Sequence, residues 1–147
     1  MDNPADSLAV TFFSEILAVE QLARSALARV LPRGMELSQF SVLNHLAHTG
    51  GERTPAQLAR TFHLTRGAMT NTLGRLEWAG WVHVRPDWDD ARRKMVAISP
   101  AGLAARDAAV TAIVPVIGEI VARIGQDRTR SALPVLREMR MLLLERE

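Results

Sequence analysis

The chain of 147 residues contains no cysteine, which excludes disulfides, thiolate metal sites and cysteine-based redox sensing. It also lacks tyrosine and has only 5% aromatic residues, and this scarcity favours packed helices over a large sheet. Hydrophobic residues nevertheless make up 48% of the chain, which is enough to build a core. We therefore expect about one mainly helical domain.

Long hydrophobic runs are absent as well. The most apolar run, Ala108 to Gly118, is interrupted by Thr111 and Pro115. It is far shorter than the roughly 20 residues that a membrane span needs. The first residues, MDNPADSLAV, lack the basic region and apolar core of a signal peptide. We expect a soluble, cytoplasmic protein with no membrane partner.

Enzyme motifs are missing too. The chain has no glycine-flanked nucleophile, phosphate loop, dinucleotide fingerprint or paired metal ligands. His45 and His48 have a spacing that can bind zinc, but no cysteine or patterned carboxylate completes a tetrahedron. We interpret them as ordinary histidines. The sequence predicts no catalytic residue, no metal and no cofactor.

Charge is distributed unevenly, although the net charge is only +2. Residues 53–99 carry eight basic against four acidic side chains, residues 1–52 carry three against six, and the remainder carries seven against six. The middle third is therefore the basic part of the chain. A basic face is most often solvated surface and next most often a nucleic-acid site.

The first and last parts of the chain are predicted to form long helices. Apolar residues at steps of three and four indicate a helix over residues 7–31, and a fifth helix is expected from a Ser99-Pro100 start towards Gly125, followed by a sixth capped by Asp127. Because proline removes a helical hydrogen bond, we expect kinks or a local break at Pro115 and Pro134. The apolar surplus of these helices predicts a symmetric homodimer.

The middle of the chain begins with a second helix from a Ser38 cap to Gly50. The stretch Thr54-Pro55-Ala56-Gln57 then combines an N-cap, a first-turn proline and a capping-box glutamine. This third helix is expected to end near His63. Thr65 caps a fourth helix, which has Ala68, Met69, Thr72, Leu73 and Leu76 as its buried stripe and ends at Gly80.

After Gly80 the apolar period changes from 3.6 to 2. Val82 and Val84 alternate with polar residues, and residues 95–98 form a second short strand after the charged stretch DWDDARRK. Two short helices joined by a tight turn and followed by a hairpin indicate a winged helix-turn-helix. The second of these helices can lie in a major groove, and an arginine at the hairpin tip can enter the neighbouring minor groove.

Three stretches carry a resemblance to a known family: ELSQFSVLNHLA, TPAQLARTFHLTRGAMTNTLGRLEWAGWV and RPDWDDARRKMVAISPAG. Over residues 37–102 the chain resembles the MarR (multiple antibiotic resistance regulator) family of bacterial transcription factors. The family's wing pattern, roughly Arg-x-x-Asp-Pro-x-Asp-Arg-Arg and later hydrophobic-Thr-x-x-Gly, matches Arg85, Asp87, Asp90, Arg92, Ile98-Ser99 and Gly102. Trp88 replaces the usual proline and Ala91 the first arginine of the pair.

The resemblance implies roles for the wing. Arg92 is expected to enter the minor groove, Asp90 to orient it, and Arg93 and Lys94 to add phosphate contacts. On the fourth helix, Thr70 and Asn71 suit base edges, whereas Arg75 suits a phosphate. The predicted DNA-binding residues are Thr65, Arg66, Thr70, Asn71, Arg75, Arg85, Asp90, Arg92, Arg93 and Lys94.

The resemblance also implies an effector cleft between the dimerisation helices and the DNA lobe. Phe13, Phe40 and Asn44 could line it and take a small aromatic or anionic molecule, with Phe12 as a further candidate. Phenylalanines at such positions are more often simply core residues. The effector role is therefore the less favoured reading of these residues.

The fold class is thus mainly α with a small β-hairpin, a winged helix-turn-helix flanked by dimerisation helices. The expected division, within one compact domain, is an N-terminal dimerisation helix over 1–36, a DNA-binding lobe over 37–99 and C-terminal dimerisation helices over 100–147. The predicted function is a small-molecule-responsive repressor that reads a pseudo-palindromic operator in double-stranded DNA. The alternatives are a winged-helix protein acting through protein contacts and a hydrolase with an unrecognised site.

Overall fold

The computed structural model describes residues 3–146, which contain six helices and a two-stranded antiparallel sheet in the predicted order. The elements are α1 (Pro4–Val30), α2 (Leu37–Thr49), α3 (Pro55–Phe62), α4 (Arg66–Trp78), β1 (Val82–Pro86), β2 (Lys94–Ile98), α5 (Pro100–Ile124) and α6 (Gln126–Leu144). They divide into two compact units, one up to Ala112 and one from Ile113 onwards. The first unit therefore contains the whole predicted winged helix.

The core of the first unit collects apolar side chains from every element between α2 and β2. The helix-turn-helix is packed onto α2 and onto the sheet, so its orientation is fixed by burial rather than by surface contacts. The buried cluster consists of Met35, Val42, Leu43, Leu46, Leu58, Ala59, Met69, Leu73, Leu76, Val82, Val96 and Ala109.

Local capping explains the tight turn between α3 and α4. The Gln57 N–H donates to Thr54 Oγ1 at 3.1 Å, and the Thr54 N–H donates to Gln57 Oε1 at 2.9 Å, which confirms the capping box. His63 ends α3 with a left-handed φ of 53°. Thr65 Oγ1 then accepts from the Ala68 N–H at 3.1 Å and starts α4, as predicted.

Three details of the helices differ from the sequence prediction. The N-cap of α2 is Glu36 and not Ser38, because the Glu36 N–H donates to the Gln39 side chain at 2.7 Å and starts the helix earlier. The N-cap of α6 is Gly125 and not Asp127, which lies in the first turn and accepts from Arg130 at 3.2 Å. Ala68, which was predicted to belong to the buried stripe of α4, is exposed, and the buried stripe begins at Met69.

The prolines of the long helices do not break them. Helix α5 continues through Pro115 and α6 through Pro134. The chain instead breaks at Gly125, whose φ of 102° lies in the region that favours glycine. Each proline removes one backbone donor without ending its helix, and the chain leaves the helical conformation only at Gly125, between α5 and α6.

The hairpin is tied to the helix-turn-helix at its base. Val82 pairs with Ile98 and Val84 with Val96 in the antiparallel register. Arg53, in the turn before α3, adds a bridge to the other edge of β2, since its N–H donates to the Val96 carbonyl at 2.9 Å and its carbonyl accepts from the Val96 N–H at 2.8 Å. At the base of the wing, β2 is therefore hydrogen-bonded on both edges, to β1 on one side and to Arg53 on the other.

A close junction joins the end of α4, the start of β1 and the start of α5. The Ser99 hydroxyl donates to the Gly80 carbonyl at 2.7 Å and accepts from the Gly102 N–H at 2.9 Å, so Ser99 is the predicted cap of α5. A Cβ on Gly102 would lie 1.9 Å from the Trp81 carbonyl oxygen, which is a steric clash. Glycine has no Cβ and is therefore the residue that fits here. Gly102 thus allows the α5 backbone to touch the backbone at β1.

The long helices leave many apolar side chains exposed. No residue of α1 is buried, and Leu8, Val10, Leu17, Val19 and Leu22 are each at least 60% exposed. In the second unit the exposed apolar residues include Ile117, Ile120, Ile124, Leu136, Met141, Leu142 and Leu143. Among residues 3–146, no single helix is long and apolar enough to cross a membrane, and only α5 and α6 together, bent by 101°, meet that criterion of length and composition.

Candidate nucleic-acid interface

The outer face of α4 is polar and exposed. Met69, Thr72, Leu73 and Leu76 bury the opposite face of the helix in the core. Arg66, Thr70 and Asn71 are exposed, and within residues 3–146 their side chains make no hydrogen bond or ion pair. Their donors and acceptors are therefore available to an external ligand. Thr65 is exposed as well, but its hydroxyl oxygen already accepts the capping bond.

A groove runs between the helix-turn-helix and the wing. Its volume is about 420 Å³, and Leu73, Val84 and Val96 contribute apolar side chains to its lining. The groove brings together five residues that the sequence predicted to bind DNA, namely Arg66, Thr70, Arg92, Arg93 and Lys94. Glu77 is the single carboxylate in its lining. The groove is consequently basic and suits an anionic polymer.

The wing tip is an ordered network of ion pairs. Asp90 Oδ1 accepts both from the Arg92 backbone N–H at 3.1 Å and from Arg92 Nε at 3.2 Å. Arg93 donates from Nη2 to Asp87 Oδ2 at 2.9 Å, and its Nε lies 3.9 Å from Asp90 Oδ2. Two of the three carboxylates of the stretch DWDDARRK are thus paired with two of its three cations within the turn.

The Arg92 side chain is more exposed than that of Arg93 and makes fewer contacts with carboxylates. The Arg92 side chain is 91% exposed, and only its Nε is bonded to Asp90. The two terminal nitrogens make no hydrogen bond within residues 3–146 and remain available for acceptors outside the protein. This geometry is the one that a carboxylate orienting a groove-inserting arginine requires.

The same network lowers the pKa of both carboxyl groups. The Asp89 backbone N–H, which donates to Asp87 Oδ1 at 3.0 Å, is the main cause of the lowered pKa of Asp87, and Arg93 adds to it. The side-chain hydrogen bond from Arg92 is the main cause of the lowered pKa of Asp90, followed by the Arg92 backbone N–H. Both groups are therefore carboxylates at neutral pH.

Arg85 is engaged inside the protein rather than open to a ligand. Its Nε donates to Glu52 Oε1 at 3.2 Å, and its Nη1 donates to the Pro86 carbonyl at 2.8 Å. The same Nε lies 2.9 Å from Glu52 Oε2, but no N–H points at this buried oxygen, so it is held by charge alone. Glu52 was not predicted from the sequence, because its contact with Arg85 joins residues 33 positions apart in the chain.

Asn71 and Arg75 lie on the other flank of α4. Both line a second concavity of about 580 Å³ together with Glu36 and Trp78. The guanidinium of Arg75 donates to Glu36 Oε2 at 2.7 Å across an exposed ion pair. Exposed pairs of this kind contribute little stability, so Arg75 can exchange Glu36 for a phosphate. The sequence did not reveal Glu36 as its partner.

The three predicted effector residues have different environments. Phe40 packs at the edge of the core, whereas Phe13 is exposed on α1 and its ring centroid lies 6.3 Å from that of Phe12. Asn44 Oδ1 accepts from Arg106 Nε at 3.1 Å, a half-buried contact across 62 residues of sequence. Neither of the two concavities described above includes these residues. Arg106 is the residue that sequence reasoning missed.

The two histidines of α2 have structural contacts. The His45 ring packs edge to face on Phe62, with ring centroids 5.5 Å apart. His48 Nδ1 lies 2.9 Å from the Asn44 carbonyl oxygen, which only accepts hydrogen bonds, so Nδ1 carries the proton. Within residues 3–146, no group of three His, Cys, Asp or Glu side chains could hold a metal ion.

Comparison with known proteins supports the resemblance seen in the sequence. Residues 33–93 match the model of the MarR family, a segment that spans α2, the helix-turn-helix and the wing tip. No curated protein sequence matches the chain. The family match thus covers every predicted DNA-binding residue except Lys94, and it leaves α1, β2, α5 and α6 outside it.

Solved structures share the fold over nearly the whole chain. A mutant of MarR from E. coli in complex with operator DNA has a TM-score of 0.79 at 22% identity, covering 94% of this chain and 99% of that one. The transcriptional regulator BldR from Sulfolobus solfataricus has a TM-score of 0.78 at 18% identity, covering 93% and 99%. The organohalide-sensing regulator RdhR-CbdbA1625 in its 2,4-dichlorophenol-bound form has a TM-score of 0.78 at 21% identity, covering 95% and 85%. The predicted winged-helix fold is confirmed.

Proposed function

The winged-helix lobe matches the MarR family of DNA-binding transcriptional regulators over residues 33–93, and from this premise we propose that the protein is a homodimeric repressor released from DNA by a small molecule. One observation carries the DNA-binding part of the proposal. The outer face of α4 and the oriented Arg92 of the wing border the same basic groove. An enzyme would instead need a nucleophile or acid–base pair in such a groove.

Helix α4 and the wing are suited to different parts of the DNA duplex. Helix α4 lies in the major groove, where Asn71 can pair bidentately with adenine and Thr70 can reach a base edge or a methyl group. The wing then reaches the adjacent minor groove, where the narrow width concentrates negative potential around an inserted arginine. Arg66, Arg93 and Lys94 approach the phosphates between the two grooves and set the orientation.

A second copy of the chain is the proposed cover for the exposed apolar helices. Helix α1 has 27 residues and buries none of them, yet an isolated helix gains little stability in water. Exposed apolar stretches of this extent are typical of interfaces. A two-fold axis would present two copies of α4 to half-sites about 10 base pairs apart, and the operator would be pseudo-palindromic.

The proposed effector is a small aromatic or anionic molecule near Phe13, Phe40 and Asn44. Arg106 adds a half-buried cation beside Asn44, so an anion could replace the amide oxygen as acceptor. The solved relative RdhR-CbdbA1625 binds 2,4-dichlorophenol. Binding of a comparable molecule here would shift the population of dimers away from the spacing that fits the operator.

The decisive experiment is a titration of the protein on the duplex that flanks its own gene. We expect tight binding to one site, a symmetric footprint covering two half-sites, and affinity that falls steeply with salt. A shuffled duplex of the same length is the matched control. Equal affinity for both duplexes, or no binding to either, would refute the proposal that the protein is an operator-binding regulator.

Two further measurements test the finer parts of the proposal. Sedimentation should give a dimer at the working concentration, and a monomer that still protects two half-sites would rule out the proposed interface. Addition of 2,4-dichlorophenol or a related phenol should release the operator, and Arg106→Ala should blunt the release. If no phenolic ligand weakens the complex of the protein with its operator, the proposed class of effector is wrong, although the DNA-binding part of the proposal still stands.

A further inference from the structure

Trp88 is an exposed indole in the middle of the wing tip. The residue is 79% exposed, although such large apolar side chains are usually at least partly buried. It stands where the wing pattern of the resembling family has proline. We propose that Trp88 is a DNA-contacting residue that packs on the sugar edge of the minor groove beside Arg92. This inference rests on the proposed DNA-binding function and adds a nonpolar contact to it.

The ring of Trp88 is held from one side by Arg85. The guanidinium carbon of Arg85 lies 5.5 Å from the ring centroid, which is within the range of a cation–π interaction. Arg85 is itself fixed by Glu52, whose carboxylate oxygens lie 3.2 and 2.9 Å from its Nε. A chain of contacts therefore runs from the body of the lobe to the indole. This arrangement makes Arg85 a positioning residue for Trp88.

The backbone at Trp88 is held as well. The Asp89 N–H donates to Asp87 Oδ1 at 3.0 Å, which closes a turn with Trp88 at its centre. The Asp87 N–H in turn donates to the Arg93 carbonyl at 3.0 Å, so the turn is fixed to the opposite side of the hairpin tip. Both the main chain and the ring of Trp88 are thus ordered before any partner binds. An ordered side chain loses little entropy on binding.

The surroundings of Trp88 favour duplex DNA as its partner. Trp88 shares the seven-residue segment 87–93 with Arg92, so a wing that inserts Arg92 brings the indole to the same stretch of duplex. Its neighbours Asp87 and Asp89 are carboxylates, which repel phosphate. An indole lacks this repulsion and can pack on deoxyribose or wedge against a base step, as apolar side chains do in minor-groove binders.

A pair of substitutions tests the contact. Trp88→Ala should weaken operator binding about five- to tenfold, within the range of aromatic contacts to nucleotides, while the salt slope stays unchanged because no charge is removed. Trp88→Phe should recover much of the loss. The free energy of unfolding is the control measurement, and it should be the same for Trp88→Ala as for the wild type, because the removed ring is 79% exposed.

Indole fluorescence gives a readout that a purely structural role would not move. Adding operator should change the emission of Trp78→Phe, which lacks the other exposed indole, and this change should disappear in the double variant Trp78→Phe/Trp88→Phe. Unchanged affinity of Trp88→Ala, together with no change of Trp88 emission on a bound operator, would overturn the inference and leave the proposed function intact. Failure of the wild type to bind DNA would instead refute the proposed function.

Discussion

The outer face of α4 and the wing tip carry similar side chains but use them differently. On α4, Arg66, Thr70 and Asn71 have no partner within residues 3–146. In the wing, by contrast, three arginines are each tied to a carboxylate: Arg85 to Glu52, Arg92 to Asp90 and Arg93 to Asp87. On the helix, only Arg75 among the predicted contacts after Thr65 has an ion-pair partner in the described part of the chain, Glu36, whereas the three arginines of the wing are each paired with a carboxylate.

This difference has an energetic consequence. A side chain that is ordered only on binding loses conformational entropy at that moment, about 0.5–1.5 kcal/mol for a flexible one. The wing arginines lose part of that entropy when the protein folds, and the 91% exposed Arg92 loses the least, so they bind with less loss but also adapt less. The helix face can adapt its rotamers to a base sequence. We therefore expect α4 to carry sequence preference and the wing to carry affinity.

The largest effect is expected from a change that disturbs both regions together. Gly102→Ala would place a Cβ 1.9 Å from the Trp81 carbonyl oxygen, and this neighbour is backbone that cannot rotate away. The junction of α4, β1 and α5 would have to shift, at a cost of about 3 kcal/mol in unfolding free energy. Denaturant unfolding measures the loss, and binding should fall with it.

Gly74→Ala is the matched control for this substitution. A Cβ at Gly74, inside α4, would meet no atom within 4 Å. The alanine should therefore leave the free energy of unfolding unchanged or raise it by up to about 1 kcal/mol. Equal stability of the Gly102 and Gly74 variants would mean that the close approach at Trp81 does not constrain the junction.

Arg92→Ala should have the largest effect on DNA binding in a protein that remains folded. The loss of a groove-inserted guanidinium should weaken operator binding strongly and flatten the log-affinity against log-salt slope by about one unit. Arg92→Lys is the informative comparison, since lysine keeps the charge but has no Nε–H to share with Asp90. It should keep the slope and recover only part of the affinity. An unaltered affinity for Arg92→Ala would exclude the wing from the interface.

Much of the fold could be predicted from the sequence because its signals are local. The Thr54 capping box, the Thr65 cap and the glycine at position 80 each act within one turn of the chain, and all three are found in the structure. The predicted N-cap of α2 was wrong because two polar residues, Glu36 and Ser38, could both cap the start of this helix. The hydrogen bond from the Glu36 N–H to the Gln39 side chain selects Glu36, and such side-chain geometry cannot be read from the sequence.

The candidate site was predictable to a different degree in its two halves. The Asp90–Arg92 pair lies two residues apart and follows from the motif. The partners of Arg85, Arg75 and Asn44 lie 33, 39 and 62 residues away in the chain, where no local pattern could indicate them. The sequence thus predicts the charged residues of the candidate interface but does not show which of them form ion pairs within the protein.

Asn71→Ala tests the reading role of α4. It should cost about 1–3 kcal/mol on the best operator and relax preference at one base pair, with non-specific binding nearly unchanged. Arg75→Ala is the contrast on the same helix, since a phosphate contact should weaken all sequences alike. Binding measured on a panel of single-base-pair variants separates the two patterns. Uniform weakening by Asn71→Ala would make Asn71 a backbone contact.

Asp90→Ala separates positioning from charge in the wing. The substitution makes the wing more positive, so a purely electrostatic wing would bind DNA more tightly. A wing that needs an oriented Arg92 would bind more weakly, because both bonds to Asp90 Oδ1 are lost. We expect weaker binding, by a few-fold, at fixed salt in a folded dimer. Tighter binding would show that the carboxylate only moderates the charge of the wing.

The smallest effect, a response to acid, should be confined to the wing. Asp87 and Asp90 have pKa values below the usual 3.8, because backbone and arginine N–H groups bond to their charged forms. A lowered folded pKa means that the ordering contribution is complete above 3.8 and is lost as the pH falls through the lowered values. Thr70 and Asn71 on the outer face of α4 carry no titratable group. In NMR titrations without DNA, the Arg92 and Arg93 Nε–H signals should therefore stay constant from neutral pH to about 5 and shift only in strong acid, while signals of the Asn71 side chain stay still. Arg92 and Arg93 signals that move already near neutral pH would contradict a wing ordered by its own carboxylates.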